Sequence, residues 1–395
     1  MTTARSLARF LSRSPSLPVP QPVPQPASVS QPVPQPVSQS VSLSVSLRCA
    51  AALATVLLTT ASTPAGGAGA VGAADAGRAE ARTTSAWLPY WDTEAGYASA
   101  LAHADQLHTV SPFWYTATAD SIAGEAGAGD RRIIDGLHGK GIKVVPTVVE
   151  TPGPAAMAAL LGDPVERATH VDALMAIVAS RSYDGIDLDY ERMSETSDAA
   201  LTGRVRDGYD RLTEELCARL HALGKSCVVT VMPRVDGEGL AFDYAHLGKV
   251  ADKLRIMGYN LHNALADPGP LSSLDWYDRF IGYAVTVVPR EKLEVALPAY
   301  GWNWTVGSGA RAGHVTSREA EALRERVGAD YTFDPVSGTP HFDYTDDDGE
   351  EHEVWYQDAK GSAAHLRVLD RHGVRGSGLW ALGFEDPQLW TALER

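Results

Sequence analysis

A (β/α)8 TIM barrel with a small α+β insertion between its seventh strand and the following helix is the fold class this 395-residue sequence predicts. Three observations predict it. Eight short runs of apolar, β-branched and aromatic residues recur along the chain. Helical patterns, often closed by glycine, separate most of them. The stretch from 84 to 395 suits a barrel of roughly 250 residues plus one insertion. Strand then helix, eight times, implies parallel pairing. A doubly wound open sheet would alternate in the same way, but no Gly-x-Gly-x-x-Gly follows the first strand.

The first 73 residues stand apart from this pattern. They contain no acidic residue, the four arginines Arg5, Arg9, Arg13 and Arg48, ten of the 24 prolines and no tryptophan. Residues 15–47 repeat Val-Pro-Gln-Pro and Ser-Val-Ser units, a composition too poor in apolar bulk to offset chain entropy. Behind Arg48, residues 50–60 form an apolar run of the length of a signal-peptide core, followed by small residues up to Ala73. The expectation is a signal peptide at 1–73 with an atypical Pro/Ser/Gln-rich front, removed on export, then a linker at 74–83 and the barrel at 84–395. The apolar run is shorter than the ~20 residues of a membrane span. Removing the segment leaves 30 basic against 49 acidic residues, a charge near -19 that argues against a nucleic-acid binder.

The eight strand candidates are 86–91, 107–115, 142–149, 183–191, 227–232, 254–260, 293–300 and 374–382. Helical patterns occupy 164–180, 201–223 and 359–372, and Gly141, Gly224 and Gly373 stand where helices or strands must be left. The insertion is placed at about 305–358. Within it a helix is expected at 317–327, then a hairpin region at 331–356 with turns at Pro335-Val336-Ser337-Gly338 and Asp348-Gly349.

The chemistry concentrates on the fourth strand, Asp184-Gly185-Ile186-Asp187-Leu188-Asp189-Tyr190-Glu191. Side chains alternate along a strand, so Asp187, Asp189 and Glu191 face the barrel axis together, with Glu191 at the C-terminal mouth. Three carboxylates in one small volume cannot all ionise cheaply, so at least one holds a proton near neutrality, as a general acid must. The competing reading is a divalent-cation site, but Arg192 stands where a calcium loop requires glycine. No metal and no cofactor are expected.

Here the sequence resembles glycoside hydrolase family 18, the chitinase family, whose fourth strand carries Asp-x-x-Asp-x-Asp-x-Glu. Met257-Gly258-Tyr259-Asn260 is similar to the family's sixth-strand motif, Leu297-Pro298-Ala299-Tyr300-Gly301 to its seventh, and Gly378-Leu379-Trp380 to its eighth. The stretch 344–380 resembles bacterial members associated with spore germination and peptidoglycan. The resemblance implies a retaining glycosidase acting on β-1,4-linked N-acetylglucosamine glycans, with the substrate's own acetamido oxygen as nucleophile, an exception to the two-carboxylate scheme. Glu191 is then the acid and later the base, and Asp189 orients the acetamido group. Asp187 takes or shares a proton when Asp189 turns, and Tyr259 hydrogen-bonds the acetamido carbonyl. Trp380 floors the distorted sugar, Tyr90, Asn260, Tyr300 and Trp302 line the substrate site, and Asp184 is structural. Three positions depart from the pattern: Tyr190 replaces a frequent tryptophan, Asn260 a frequent aspartate, and the third strand lacks Ser-x-Gly-Gly. The family also contains sugar-binding members that have lost catalysis. Those typically lose the glutamate, whereas Glu191 is present.

The remaining features receive plainer readings. Nine tryptophans, all from Trp87 onward, suit a sugar cleft. Asp346-Asp347-Asp348-Gly349-Glu350-Glu351 reads as a solvated hairpin tip. Cys217 and Cys227 are the pair left after removal of Cys49, and both the bridged and the free state are open. The expected partner is an N-acetylglucosamine polysaccharide met outside the cell or at its wall, with no nucleic acid, no stable membrane span and a monomeric chain.

Overall fold

The computed structural model describes residues 81–393; the expected export segment and residues 74–80 of the expected linker lie outside the described residues. All eight predicted strands are present. They are β1 (Thr83–Pro89), β2 (Leu107–Ala117), β3 in two pieces (Lys143–Val144 and Thr147–Glu150), β4 (Gly185–Asp189), β5 (Ser226–Val231), β6 (Lys253–Met257), β7 (Leu293–Pro298) and β8 (Gly376–Trp380). Each pairs in parallel with its sequence neighbours, and β1 pairs with both β2 and β8, which closes the barrel. β1 begins at Thr83, so Arg82 and Thr83 belong to the barrel rather than to the expected linker. Arg82 is paired with Asp370, and Thr83 donates its N–H to the Arg375 carbonyl.

Local sequence explains the helices around it. The helix Pro164–Ser180 falls on the predicted span because Asp163 caps it through the N–H groups of Val165 and Glu166, and Pro164 presets the first turn. The helix Ala199–Ala222 is capped in the same way by Asp198, and Gly224 leaves it at φ 66°, a conformation that suits glycine. Ile186 and Leu188 of β4 are fully buried on the helix-facing side, which leaves Asp187 and Asp189 for the interior. Among the described residues no helix is long and apolar enough to cross a membrane.

The insertion is larger than one hairpin. It is a five-stranded antiparallel sheet in the order Gly313–Thr316, Tyr300–Thr305, Glu351–Tyr356, Thr339–Thr345, Thr332–Asp334. It therefore starts at Tyr300, earlier than the expected 305, because the strand leaving β7 pairs on both sides within the insertion: Gly301 lies opposite Val315 and opposite Tyr356. The helix Ser317–Val327 lies where the sequence puts it, held by a reciprocal Thr316/Glu319 cap. Its Ala320 and Leu323 pack on Phe342, Val354 and Tyr356 to give the insertion a small core of its own. Both predicted turns form: Asp334 accepts the N–H groups of Val336 and Ser337, and Asp346 those of Asp348 and Glu350.

Cys217 and Cys227 are joined by a disulfide between the helix Ala199–Ala222 and β5. Closing so short a loop constrains the unfolded chain, so Cys217→Ser is expected to lower stability by about 2–4 kcal/mol. Denaturant unfolding measures the change. Equal midpoints for the variant and the parent, or two alkylated thiols without reductant, would contradict it.

Candidate active site

The barrel interior is polar where barrels are usually filled by branched aliphatics. Ser85, Ser111, Thr147, Asp187, Thr230, Arg255 and Ser377 are all buried, as is Glu294. Asp187 sits in the middle of this layer. Its Oδ2 accepts from Trp87 Nε1 at 2.9 Å, Thr147 Oγ1 at 2.8 Å and Arg255 Nη1 at 3.0 Å, and its Oδ1 from Thr230 Oγ1 at 2.7 Å. Four different strands thus converge on one carboxylate.

Asp189, one pleat further toward the mouth, is buried, and its Oδ1 has no partner. Burial first, and then the charges of Glu191, Asp187 and Glu150, push its carboxyl well above the usual range. Glu191 lies just past the end of β4. Its N–H and that of Met193 both donate to the buried Glu150 carboxylate, at 2.9 and 2.8 Å, which fixes the turn presenting the acid. Burial, helped by Glu195, raises the Glu191 carboxyl to about 7, and burial raises Glu150 to about 7 as well. Tyr190 faces the other way, toward the helices, where its hydroxyl meets His170 Nε2 at 2.6 Å. Asp184 sits at the far end of the strand, accepting from the Val144 N–H and contacting His138 Nε2, both at 2.8 Å.

A cavity of about 840 Å³ opens beside Glu191, lined among others by Tyr259, Asn260, Met232, Leu240 and Arg206. Trp380 lies outside this cavity, at the end of β8 across the barrel. Its half-buried ring packs within 5.2 Å of Phe113 and 5.6 Å of Trp87, centre to centre. Tyr90 is also on that side, packed edge-on against Trp91. Trp91 was not singled out in the sequence, yet it is 54% exposed and only 6.2 Å from Trp380, so the two offer adjacent aromatic faces. Two expected lining residues are misplaced. Tyr300 is buried behind Tyr259, where its hydroxyl donates to Asn260 Oδ1 at 2.5 Å, so it orients the lining without joining it. Trp302 packs on Tyr300 and His314 as part of the first insertion strand and does not line the cavity. Both corrections follow from the insertion sheet starting at Tyr300.

Arg255, Glu294, Glu150, Thr147 and Thr230 were missed in the sequence. The signal was available for two of them: Arg255 and Glu294 are charges in the middle of strands buried on both faces. Among the described residues, the His/acid group spaced closely enough for a cation is Asp346, Glu350 and His352. It lies at the insertion's hairpin tip, where Asp346 is already engaged by backbone N–H groups and His352.

The sequence pattern of glycosyl hydrolases family 18 matches residues 138–385, most of the barrel and all four acids of the fourth-strand motif. The chain belongs to this family. Among its curated relatives are a putative sporulation-specific glycosylase of Bacillus subtilis, 25% identical over 56% of this chain and 52% of that one, and the cortical fragment-lytic enzyme of Bacillus subtilis, 28% identical over 48% and 46%. The chain spans about half the length of these two relatives. Among solved structures, a chitinase from Chromobacterium violaceum superposes with a TM-score of 0.71 at 26% identity, covering 79% of this chain and 98% of that one. The spore cortex-lytic enzyme SleL of Bacillus cereus, 20% identical, shares the fold, with a TM-score of 0.71 over 80% and 74% of the two chains.

In this family-18 site the raised Glu191 carboxyl sets a pH dependence. If Glu191 serves as the acid that the family resemblance implies, it acts only while protonated, and activity is expected to be full below about 7 and to fall as pH rises through that value. The profile of kcat/KM against pH on an N-acetylglucosamine oligomer checks this; a flat profile from about pH 4 to 9 would contradict it.

Proposed function

We propose that this protein is a secreted retaining glycosidase that hydrolyses β-1,4-linked N-acetylglucosamine-containing glycans, of the chitin or peptidoglycan type, by substrate-assisted catalysis. The observation that carries the reading is the Glu191 carboxyl at the cavity wall, held near 7, with the buried Asp189 beside it and Tyr259 on the same cavity. Glu191 gives its proton to the glycosidic oxygen as the bond to the anomeric carbon breaks. The acetamido oxygen of the same sugar attacks that carbon, forming an oxazolinium ring that Asp189 orients and balances and whose carbonyl end Tyr259 steadies. The leaving chain departs with the proton. Glu191, now a carboxylate, takes a proton from water as the water opens the ring, and two inversions leave the configuration retained.

Trp380 supports the sugar being cleaved through its apolar face. Export is supported by the apolar run at 50–60 and by the Cys217–Cys227 disulfide, which suits an oxidising compartment. The names of the Bacillus relatives, cortical fragment-lytic and sporulation-specific, weigh toward peptidoglycan.

The test incubates the protein with N-acetylglucosamine oligomers and with purified peptidoglycan. Fragments are weighed by mass spectrometry, and the first-formed anomer is read by NMR. Fragments with the β-anomer first support the reading, and their masses name the glycan. Release of the α-anomer first excludes the mechanism, and binding without cleavage replaces the enzyme by a sugar-binding protein.

A further inference from the structure

Behind the acid lies a carboxyl to which the mechanism above gives no task. Glu150 is the last residue of β3 and is 4% exposed. Earlier on that strand Thr147 faces the barrel interior, where its hydroxyl meets Asp187, and Thr147 and Val149 lie opposite Asp187 and Asp189. Alternation then turns Glu150, with the wholly buried Val148, toward the surrounding helices, and Glu150 is absent from the cavity wall. It stands behind the β4 acids rather than among them.

Among the described residues no cation pairs with it. The ionisable groups around it are Glu191 and Asp189, with Tyr190 and Tyr209 on the helix side. A buried carboxyl without a countercharge is costly to hold, and burial pushes this one up to about 7. Its retention asks for a reason, and its two oxygens supply one. Oε2 accepts the N–H of Glu191 at 2.9 Å and Oε1 that of Met193 at 2.8 Å. On the other flank of the acid, the Glu191 carbonyl accepts the Ser194 N–H at 2.9 Å and the Ser194 hydroxyl at 2.7 Å. The main chain of Glu191 is therefore gripped from both sides where the short helical turn Arg192–Ser194 begins. A carboxyl offers two acceptor oxygens side by side. An amide of the same size offers one, and its NH2 would confront the second N–H.

We propose that Glu150 is a positioning residue for the acid: from the helix side of the third strand it holds the turn that carries Glu191 with both oxygens, and it stands as a negative charge behind that side chain. It does not touch the sugar. The inference rests on the proposed glycosidase mechanism for its catalytic meaning, whereas the hold on the turn is observable without turnover.

Two readouts test it. The first is hydrogen exchange followed by mass spectrometry. In Glu150→Gln the segment 190–196 is expected to exchange faster than in the parent, while the other barrel strands keep their protection; a general loss of structure would speed exchange throughout. The second is the pH profile of kcat and KM on an N-acetylglucosamine oligomer. Displacing the acid leaves binding in place, so kcat is expected to fall by about 10–100-fold with KM changed far less. Removing an anion lets Glu191 lose its proton more readily, so the basic limb is expected to move to lower pH by roughly one unit. Glu191 is also faced by Asp189, by Glu195, which pairs with Arg192 at 3.8 Å, by Tyr259 and Tyr300, and along the cavity wall by Arg206 and Glu238. The substitution leaves all of these in place. Glu150→Asp keeps the charge but is one methylene too short to reach both N–H groups. Its kcat is expected to fall and its segment 190–196 to exchange faster, with the limb where the parent has it. If Glu150→Gln does not fold, Glu150→Asp decides by exchange and kcat. Parent-like kcat, unchanged exchange over 190–196, or an unmoved limb in active Glu150→Gln overturns this inference and leaves the glycosidase reading standing. A wild type inactive on every glycan overturns the glycosidase reading, and exchange over 190–196 still decides whether Glu150 holds the turn.

Discussion

Replacing Glu191 by glutamine is expected to lower turnover of N-acetylglucosamine oligomers by at least about 10²–10⁴-fold while leaving the fold and oligomer binding in place. The substitution is nearly isosteric. The backbone N–H of residue 191 still donates to Glu150, so the turn that presents the side chain keeps its anchor. What disappears is the proton. A carboxyl at about 7 is divided near neutrality between the form that gives a proton and the form that takes one, and the proposed mechanism uses the two in turn. Calorimetry on the variant separates loss of chemistry from loss of binding. A variant that kept more than about a tenth of the parent's turnover would remove Glu191 from the acid's role.

The second large effect is expected at Asp189. Asp189→Asn keeps the size and one hydrogen-bonding oxygen but can no longer balance a positive ring, so kcat is expected to fall by about 10²–10³-fold with KM changed far less. Interactions made mainly in the transition state give that split. A substrate without the acetamido group at the cleavage site gives an independent check: the wild type should fail on it as the variant fails on the natural sugar. A fall in kcat/KM carried by KM alone would assign Asp189 to ground-state binding.

Most of the architecture was legible in the sequence, and the reasons are local. The strand Leu293–Pro298 begins at its predicted residue because burial along its whole length makes a parallel strand a nearly continuous apolar run. The helix Pro164–Ser180 was legible at both ends through its Asp163 cap and the change of pattern after Ser180. The insertion was read as a helix and a hairpin because neighbouring strands announce themselves through turns. The strand Tyr300–Thr305 was missed although Gly307 and Gly309 stand in the loop to its near partner Gly313–Thr316; its other partner, Glu351–Tyr356, lies far along the chain and leaves no local mark. The same blindness misplaced Tyr300 and Trp302.

In the site, the alternation of Asp187, Asp189 and Glu191 was read from strand geometry alone. Arg255 and Glu294 could have been read by the same rule, since a buried parallel strand carries a charge only where another strand answers it. Glu150 could not. Its partners are backbone N–H groups 41 and 43 residues away, and no side-chain pattern marks them.

The insertion enters and leaves the barrel through adjacent, paired strands: Gly301 lies opposite Tyr356, and the Gln357 N–H donates to the Tyr300 carbonyl at 3.1 Å. A segment whose two ends already meet behaves as a cassette. Its outer turns can lengthen, shorten or be exchanged at little cost to the frame, because closing a longer loop grows only logarithmically in entropy. The acid and its supporting charges ride on β4, β6 and β7, on the frame side of that junction. Diversification in this lineage is therefore expected to accumulate in the cassette, altering which polymers reach the cleft, while the machinery that breaks the bond is inherited intact.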